Sequence, residues 1–209
     1  MNLDGWLSEK STINNSEDLL NLDKLEQTLR VNVSHKIKKV ITKFYTGKVS
    51  KKEFVNSVCA LDVVKASVEN IRFISFQLFK RKIETDPELT CPNGKKLLTD
   101  LCLLYGLNYL MNDYSSCFES GFFTSERPYD KFIMEAIKTL LLRIRPQAIP
   151  LTESVQIPDE SLCSAIGNSY GDIYETHLEQ AKNSRMNQTK DAIPDGFMEY
   201  MMPILKGKM

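Results

Sequence analysis

Leu22, Leu25, Leu29, Val33, Ile37, Val40, Ile41 and Phe44 recur every three or four residues. That spacing follows the 3.6-residue turn and predicts an amphipathic helix whose apolar stripe runs for about seven turns. Asn15 or Ser16 is placed to cap its start, and Gly47 to end it. A helix of this kind is stable only against other helices or a sheet, so the rest of the chain must supply one or the other.

It supplies helices. "SKKE" at 50–53 has capping-box spacing, with Ser50 and Glu53 able to satisfy each other's backbone donors. The helix it opens carries Phe54, Val58, Leu61, Val64, Val68, Ile71, Ile74, Leu78 and Phe79 and should end before Pro87. After the connector "ETDPELTCPNGKK", a third helix is marked by Leu97, Leu98, Leu101, Leu104, Tyr105, Asn108 and Met111. "CFESGFFTSERP" breaks it, and Pro128 suits the first turn of a fourth, with Phe132, Ile133, Ala136, Leu140 and Ile144 on its core side. Pro146 and Pro150 leave room for a short helical turn at most. Pro158 opens a helix near 159–167. Gly171 and Asp172 then permit a turn and offer acceptors for the N–H groups of another, near 172–184. Almost nothing alternates with period two, and Asn93-Gly94 lies between helical patterns rather than strands. The expectation is an all-α chain: a four-helix-bundle-like domain with additional short C-terminal helices, an N-terminal tail over 1–15 and the helical domain over 16–209.

Charge and cysteine content narrow the function. Lys+Arg and Asp+Glu are 27 each, which argues against a nucleic-acid module, whose affinity needs a basic footprint. No apolar run approaches the roughly 18 residues that cross a bilayer, and the N-terminus lacks the basic and apolar regions of a secretory signal. The cysteines, at 59, 91, 102, 117 and 163, are odd in number and include no Cys-x-x-Cys pair. Cys59, Cys102 and Cys163 lie among apolar positions and read as buried structural thiols of a reducing compartment. His35 and His177 are too far apart in sequence to suggest a zinc site.

No Gly-rich phosphate loop or nucleophile elbow is present. Glu119 and Glu126 flank a loop and read as solvated carboxylates. Lys36, Lys39 and Lys43 form a basic stripe, either a solvated face or a phosphate contact for a nucleotide or coenzyme A. Arg143 and Arg145 close the fourth helix, where they can compensate its dipole or pair with Glu153 or Asp159. Tyr170 and Tyr174 read as packing residues. No residue is assigned as catalytic, cofactor-binding or metal-ligating.

Four segments carry a resemblance: "ALDVVKASVEN" (60–70), "DLCLLYGLNYL" (100–110), "RIRPQAIPLTES" (143–154) and "GDIYETHLEQAKNS" (171–184). In this order they resemble the C-terminal α-helical domain of peroxisomal acyl-CoA oxidases, over roughly residues 20–209. Gly171, Ile173, Tyr174, Glu175, Ala181, Lys182, Ser184 and Asn187 fall on the family's last pattern without a gap. Ser169, Tyr170, Glu153 and Val155 depart from it, and Pro150 is an extra break.

The resemblance implies an enzyme that uses FAD to desaturate an acyl-CoA at the α,β bond and passes the electrons to oxygen, giving hydrogen peroxide. It also implies that the catalytic glutamate and most flavin contacts belong to parts of the family enzyme that precede this segment. Neither a Thr-Phe-Glu-Gly-like nor a Cys-Gly-Gly-His-Gly-like stretch occurs here. FAD is thus expected for the full-length enzyme and none for this chain alone, which is expected to be inactive by itself. The implied partner is the catalytic portion of an acyl-CoA oxidase, or a second copy in a dimer. Gly207-Lys208-Met209 resembles a weak peroxisomal C-terminal signal. The other reading left open is a free-standing helical interaction module without oxidase activity.

Overall fold

The computed structural model describes residues 3–47, 50–168, 170–188, 193 and 196–207. They form two units, Met1–Ala148 and Ile149–Met209. Among the described residues there is no strand.

The first unit holds α1 (Leu3–Leu7), α2 (Leu22–Thr46), α3 (Lys51–Glu53), α4 (Ala60–Thr85), α5 (Pro92–Asn112), α6 (Ser115–Glu119) and α7 (Tyr129–Ile144). The four long helices are α2, α4, α5 and α7, as the apolar periods predict. α2 packs on α4 and α5, and α5 packs on α7. Between them lie Leu25 and Leu29 from α2, Phe73 and Phe76 from α4, Leu103, Leu107 and Leu110 from α5, and Ile133, Ala136 and Leu140 from α7, all buried. Each large side chain contributes about 1.5–3 kcal/mol by leaving water. Gly106 sets how near α5 can come: a Cβ there would sit 2.8 Å from the Phe76 ring and 2.9 Å from Leu25.

The helix ends follow local chemistry. α2 starts at Leu22 because Asn21 is extended and its carboxamide oxygen accepts from the N–H groups of Asp23 (2.9 Å) and Lys24 (3.1 Å). This corrects the placement of the cap at Asn15 or Ser16. Asn15 instead accepts from the N–H of Asp18 at 3.0 Å, beside a 3₁₀ turn over Glu17–Leu20. Gly47 does stand at the C-terminal cap. The Ser50 hydroxyl accepts from the Glu53 N–H, but the helix it opens is not continuous. A π turn covers Phe54–Val58, and Cys59, at φ −125° and ψ 20°, breaks the chain before α4.

α5 is rotated from the expected face. Asp100, Cys102, Leu103, Gly106, Leu107 and Leu110 are buried, whereas Leu101, Leu104 and Tyr105 are half-buried and Asn108 and Met111 exposed. Its apolar residues nearly encircle the helix, so period alone does not choose a side. α7 buries the predicted Ile133, Ala136, Leu140 and Ile144.

The first fifteen residues, expected to be a tail, include α1 and several ties. Glu9 pairs with Arg30 at 2.8 Å, Asp4 with Lys38 at 2.7 Å, and Arg30 lies 5.5 Å over the Trp6 ring. Ile13 is buried, and its carbonyl accepts from Arg127 at 2.6 Å.

In the second unit, α8 (Ala148–Glu153) runs through Pro150, which corrects the expected break there; the proline occupies the first turn, where no helical N–H is needed. α9 (Asp159–Leu162) is shorter than predicted and ends at Cys163, in the left-handed conformation at φ 47°. α10 (Ile173–Asn183) follows Gly171 at φ 75°. Asp172 stands before it but does not cap the backbone; its carboxylate accepts from Thr176 Oγ1 at 3.1 Å and from the Asn168 side chain. α11 (Arg185–Gln188), a π turn (Phe197–Met201) and α12 (Met202–Leu205) complete the unit. Ala165 is the one buried apolar residue among those described in this unit.

Cys59, Cys102 and Cys117 are buried, with burial pushing the Cys102 thiol up to about 12. Cys163 is exposed, contrary to expectation, because α9 stops before it and the left-handed turn carries the thiol outward.

A candidate docking face

The basic stripe is spent within the fold. Lys36 lies 3.0 Å from Asp113 and 4.0 Å from Glu69, with its side chain only 11% exposed. Lys39 pairs with Glu119 at 3.3 Å, and Lys43 with Asp62. Three lysines of one helix face thereby fasten α2 to α4, to α6 and to the turn after α5. The Lys43 ammonium, hydrogen-bonded to Asp62, holds that carboxyl below its usual range. A cavity of about 150 Å³ beside these pairs is lined by Lys36, Lys39 and Lys65 and by Asp62, Asp113 and Glu119, so each cation there faces a carboxylate. The His35 ring stands 3.5 Å from Glu119, and burial lowers its pKa.

The other candidates do not gather. Glu126 and Arg145 are exposed. Arg143 lies 3.7 Å from the buried Asp100, a partner the sequence did not point to. Tyr170, Tyr174 and His177 are exposed. Among the described residues no cluster of His, Cys, Asp and Glu could hold a metal, and no helix is long and apolar enough to cross a membrane.

One side of α4 differs from its sequence-based expectation. Leu61, Val64, Val68, Ile71, Ile74 and Leu78 belong to the stripe expected in the core. They are exposed, Leu61 by 76% and Ile71 by 63%. The core side of α4 is instead Ala66, Phe73, Phe76 and Ile83. Both stripes have helical spacing, and the larger aromatic rings take the interior. The sequence does carry a signal for this: an otherwise amphipathic helix has no use for a second apolar stripe unless both sides are covered. Phe44 and Tyr45 at the end of α2, and Val55 and Val58 in the π turn, are exposed as well. Contiguous exposed apolar residues of this kind make the α4 face a candidate interaction surface.

The acyl-CoA oxidase family model matches residues 21–206. Peroxisomal acyl-coenzyme A oxidase 1 of Homo sapiens is 29% identical over 180 residues, 85% of this chain and 26% of that protein. The Arabidopsis thaliana protein of that name is 26% identical over 148 residues, 71% of this chain and 21% of that protein. Among solved structures, an acyl-CoA oxidase from Lycopersicon esculentum (tomato) superposes with a TM-score of 0.82 at 22% identity, covering 97% of this chain and 30% of that one. Acyl-CoA oxidase-1 of Caenorhabditis elegans, complexed with FAD and ATP, gives 0.75 at 23%, covering 98% and 30%. At these identities the structures speak for the fold. The chain spans about a fifth to a quarter of the curated relatives and under a third of the solved ones. With the family model matched from residue 21 to residue 206, the chain belongs to the acyl-CoA oxidase family.

Proposed function

We propose that this chain is the C-terminal helical portion of an FAD-dependent acyl-CoA oxidase, the enzyme that converts acyl-CoA to trans-2-enoyl-CoA with release of hydrogen peroxide in peroxisomal fatty acid β-oxidation. Its role is structural: it supplies a bundle on which the catalytic portion, or a second subunit, is seated. The observation that carries this reading is the two-sided α4, whose outward stripe is left to water in the chain by itself. The chain matches a limited share of each relative, and we place the catalytic portion in the remainder. No residue here is given a catalytic or flavin-binding role. FAD belongs to the complete enzyme, as it does in the Caenorhabditis elegans oxidase solved with it.

The test is reconstitution. The 209-residue chain, mixed with an acyl-CoA oxidase catalytic fragment lacking its own equivalent segment, should co-elute with it and raise peroxide release from palmitoyl-CoA. Independent elution with no gain would favour the free-standing interaction module. A yellow chain that makes peroxide alone would refute the structural role.

The relatives are named peroxisomal, and we assign the same address to this chain through Gly207-Lys208-Met209. Lys208 and Met209 lie outside the described residues. Residues 198–209 fused to a fluorescent reporter should give a punctate peroxisomal signal that is lost without Met209; diffuse signal from both would remove the assignment.

A further inference from the structure

The chain has one tryptophan, Trp6, and it lies in a segment that runs along the outside of the bundle. Residues 3–20 lead from α1, which packs on α2, to the 3₁₀ turn at Glu17–Leu20, which packs on α2, α5 and α7. The two halves of this strap are held by different chemistry. In the outer half, 3–10, α1 buries no residue; Leu3, Trp6 and Leu7 are only half-buried. A helix of five residues has no stability of its own. Charged groups tie it down: Glu9 accepts from Arg30 at 2.8 Å and from Gln27 at 2.7 Å, Asp4 pairs with Lys38 at 2.7 Å, and Arg30 lies 5.5 Å over Trp6. In the inner half, 13–20, Ile13 and Leu19 are fully buried. Arg127 donates to the Ile13 carbonyl at 2.6 Å, and the Asn14 N–H donates to Asp18 at 2.7 Å. Between the halves, residues 9–12 have no regular structure, and Lys10 and Thr12 are exposed.

We infer that residues 3–20 form a two-stage strap: an inner plug that stays seated, and an outer flap, 3–10, that lifts from α2 when its ion pairs are screened while the bundle stays folded. The pairs sit where salt reaches them. The Asp4 side chain is 85% exposed and that of Lys38 48%, and Glu9 and Arg30 are partly open to water. Attraction between such charges is weak and falls off over about 8 Å at physiological ionic strength. The burial of Ile13 and Leu19 is not screened in this way. Arg30 is also imperfectly matched by the flap. Both Glu9 oxygens accept from the same nitrogen, Nη2, and the buried Nε has no hydrogen-bond partner among the described residues. A fork of two parallel bonds would hold the carboxylate more firmly. Lifting the flap bares Gln27, Arg30 and Lys38 of α2. Ile13 meanwhile keeps the strap in place to close again.

The test uses the 209-residue chain, in which tryptophan emission reports on the flap alone. Raising sodium chloride from about 20 mM to about 500 mM should increase acrylamide quenching of Trp6 about twofold or more, with the helical circular dichroism retained. Glu9→Gln should reach that accessibility at low salt and respond less to added salt. Hydrogen exchange on the natural chain supplies the second readout. At high salt, residues 3–9 should lose protection, including the Ser8 N–H that donates to the Asp4 carbonyl. Residues 13–21 should keep theirs, including the Leu19 N–H that donates to the Ser16 carbonyl. Quenching that is the same at both salt concentrations would overturn the inference, as would Glu9→Gln behaving like the natural chain. Loss of protection over 3–9 and 13–21 together would also overturn it, because the strap would then be a single piece. None of these outcomes depends on whether the chain joins an oxidase catalytic fragment.

Discussion

The two units spend their apolar residues differently. In Met1–Ala148, leucine, phenylalanine and isoleucine side chains from four helices meet, and even the polar Thr28, Asn32 and Ser34 are buried. In Ile149–Met209, Ile149, Val155, Ile166, Tyr170, Tyr174 and Leu178 are all exposed, and Ala165 alone is buried among the described apolar residues. Both sequences look amphipathic. What separates them is element length. Four long helices each present several core residues to their neighbours, whereas α8, α9, α11 and α12 have no more than six residues each. A helix that short contributes about one turn of apolar surface and cannot close a core with its like.

Mutation should expose this contrast, most sharply at Leu107. It is fully buried in α5, so Leu107→Ala should destabilise by about 2–5 kcal/mol, read as a lower denaturant midpoint. The half-buried Leu101 is the weaker site. Next comes Gly106→Ala. Its new methyl meets the buried Phe76 and Leu25 inside 3.0 Å, and the strain outweighs the better helix propensity of alanine, for a loss of about 1–2 kcal/mol. A gain in stability would show that α5 has room to move.

Acid should separate the units as well. The Lys24 ammonium and the Asn14 N–H hold the Asp18 carboxyl below its usual range. A folded-state pKa below the unfolded one gives stability that is present above the unfolded carboxylate pKa and lost as pH falls through the folded one. Asp62, Asp86 and Asp113 are lowered too, and all belong to the first unit. Unfolding midpoints should therefore fall as pH drops below the ordinary carboxylate range, and Asp18→Asn should flatten that fall. The smallest effect is expected at Leu178→Ala. Its side chain is exposed in α10, so the midpoint of the isolated chain should move by less than about 0.5 kcal/mol. A large loss there would mean that the second unit has a core of its own.

These contrasts bear on how much the sequence reveals. Helices α2, α4, α5 and α7 can be located from it because stripe, cap and proline are local signals. Which side each helix buries depends on neighbours, and there the sequence is a weaker guide. On α7 the expected Ile133, Ala136, Leu140 and Ile144 are buried, whereas Phe132 is only half-buried. α5 is leucine-rich around most of its girth, and its buried face is rotated from the expected one. α4 has two apolar sides, and the one expected inside faces out. The basic stripe on α2 is visible in sequence, but its partners Asp113, Glu69, Glu119 and Asp62 come from distant positions that only the fold brings together.

The π turn at Phe54–Val58 has a geometric effect beyond breaking a helix. Phe54 is buried, with its ring edge-on to Phe44 at 5.1 Å between centroids, and Phe73 is buried further along. Cys59, at φ −125° and ψ 20°, then interrupts the helical count, so no single helical phase ties the two rings together. Each aromatic anchor answers to its own neighbour: Phe54 holds the turn against the end of α2, and Phe73 holds α4 in the bundle.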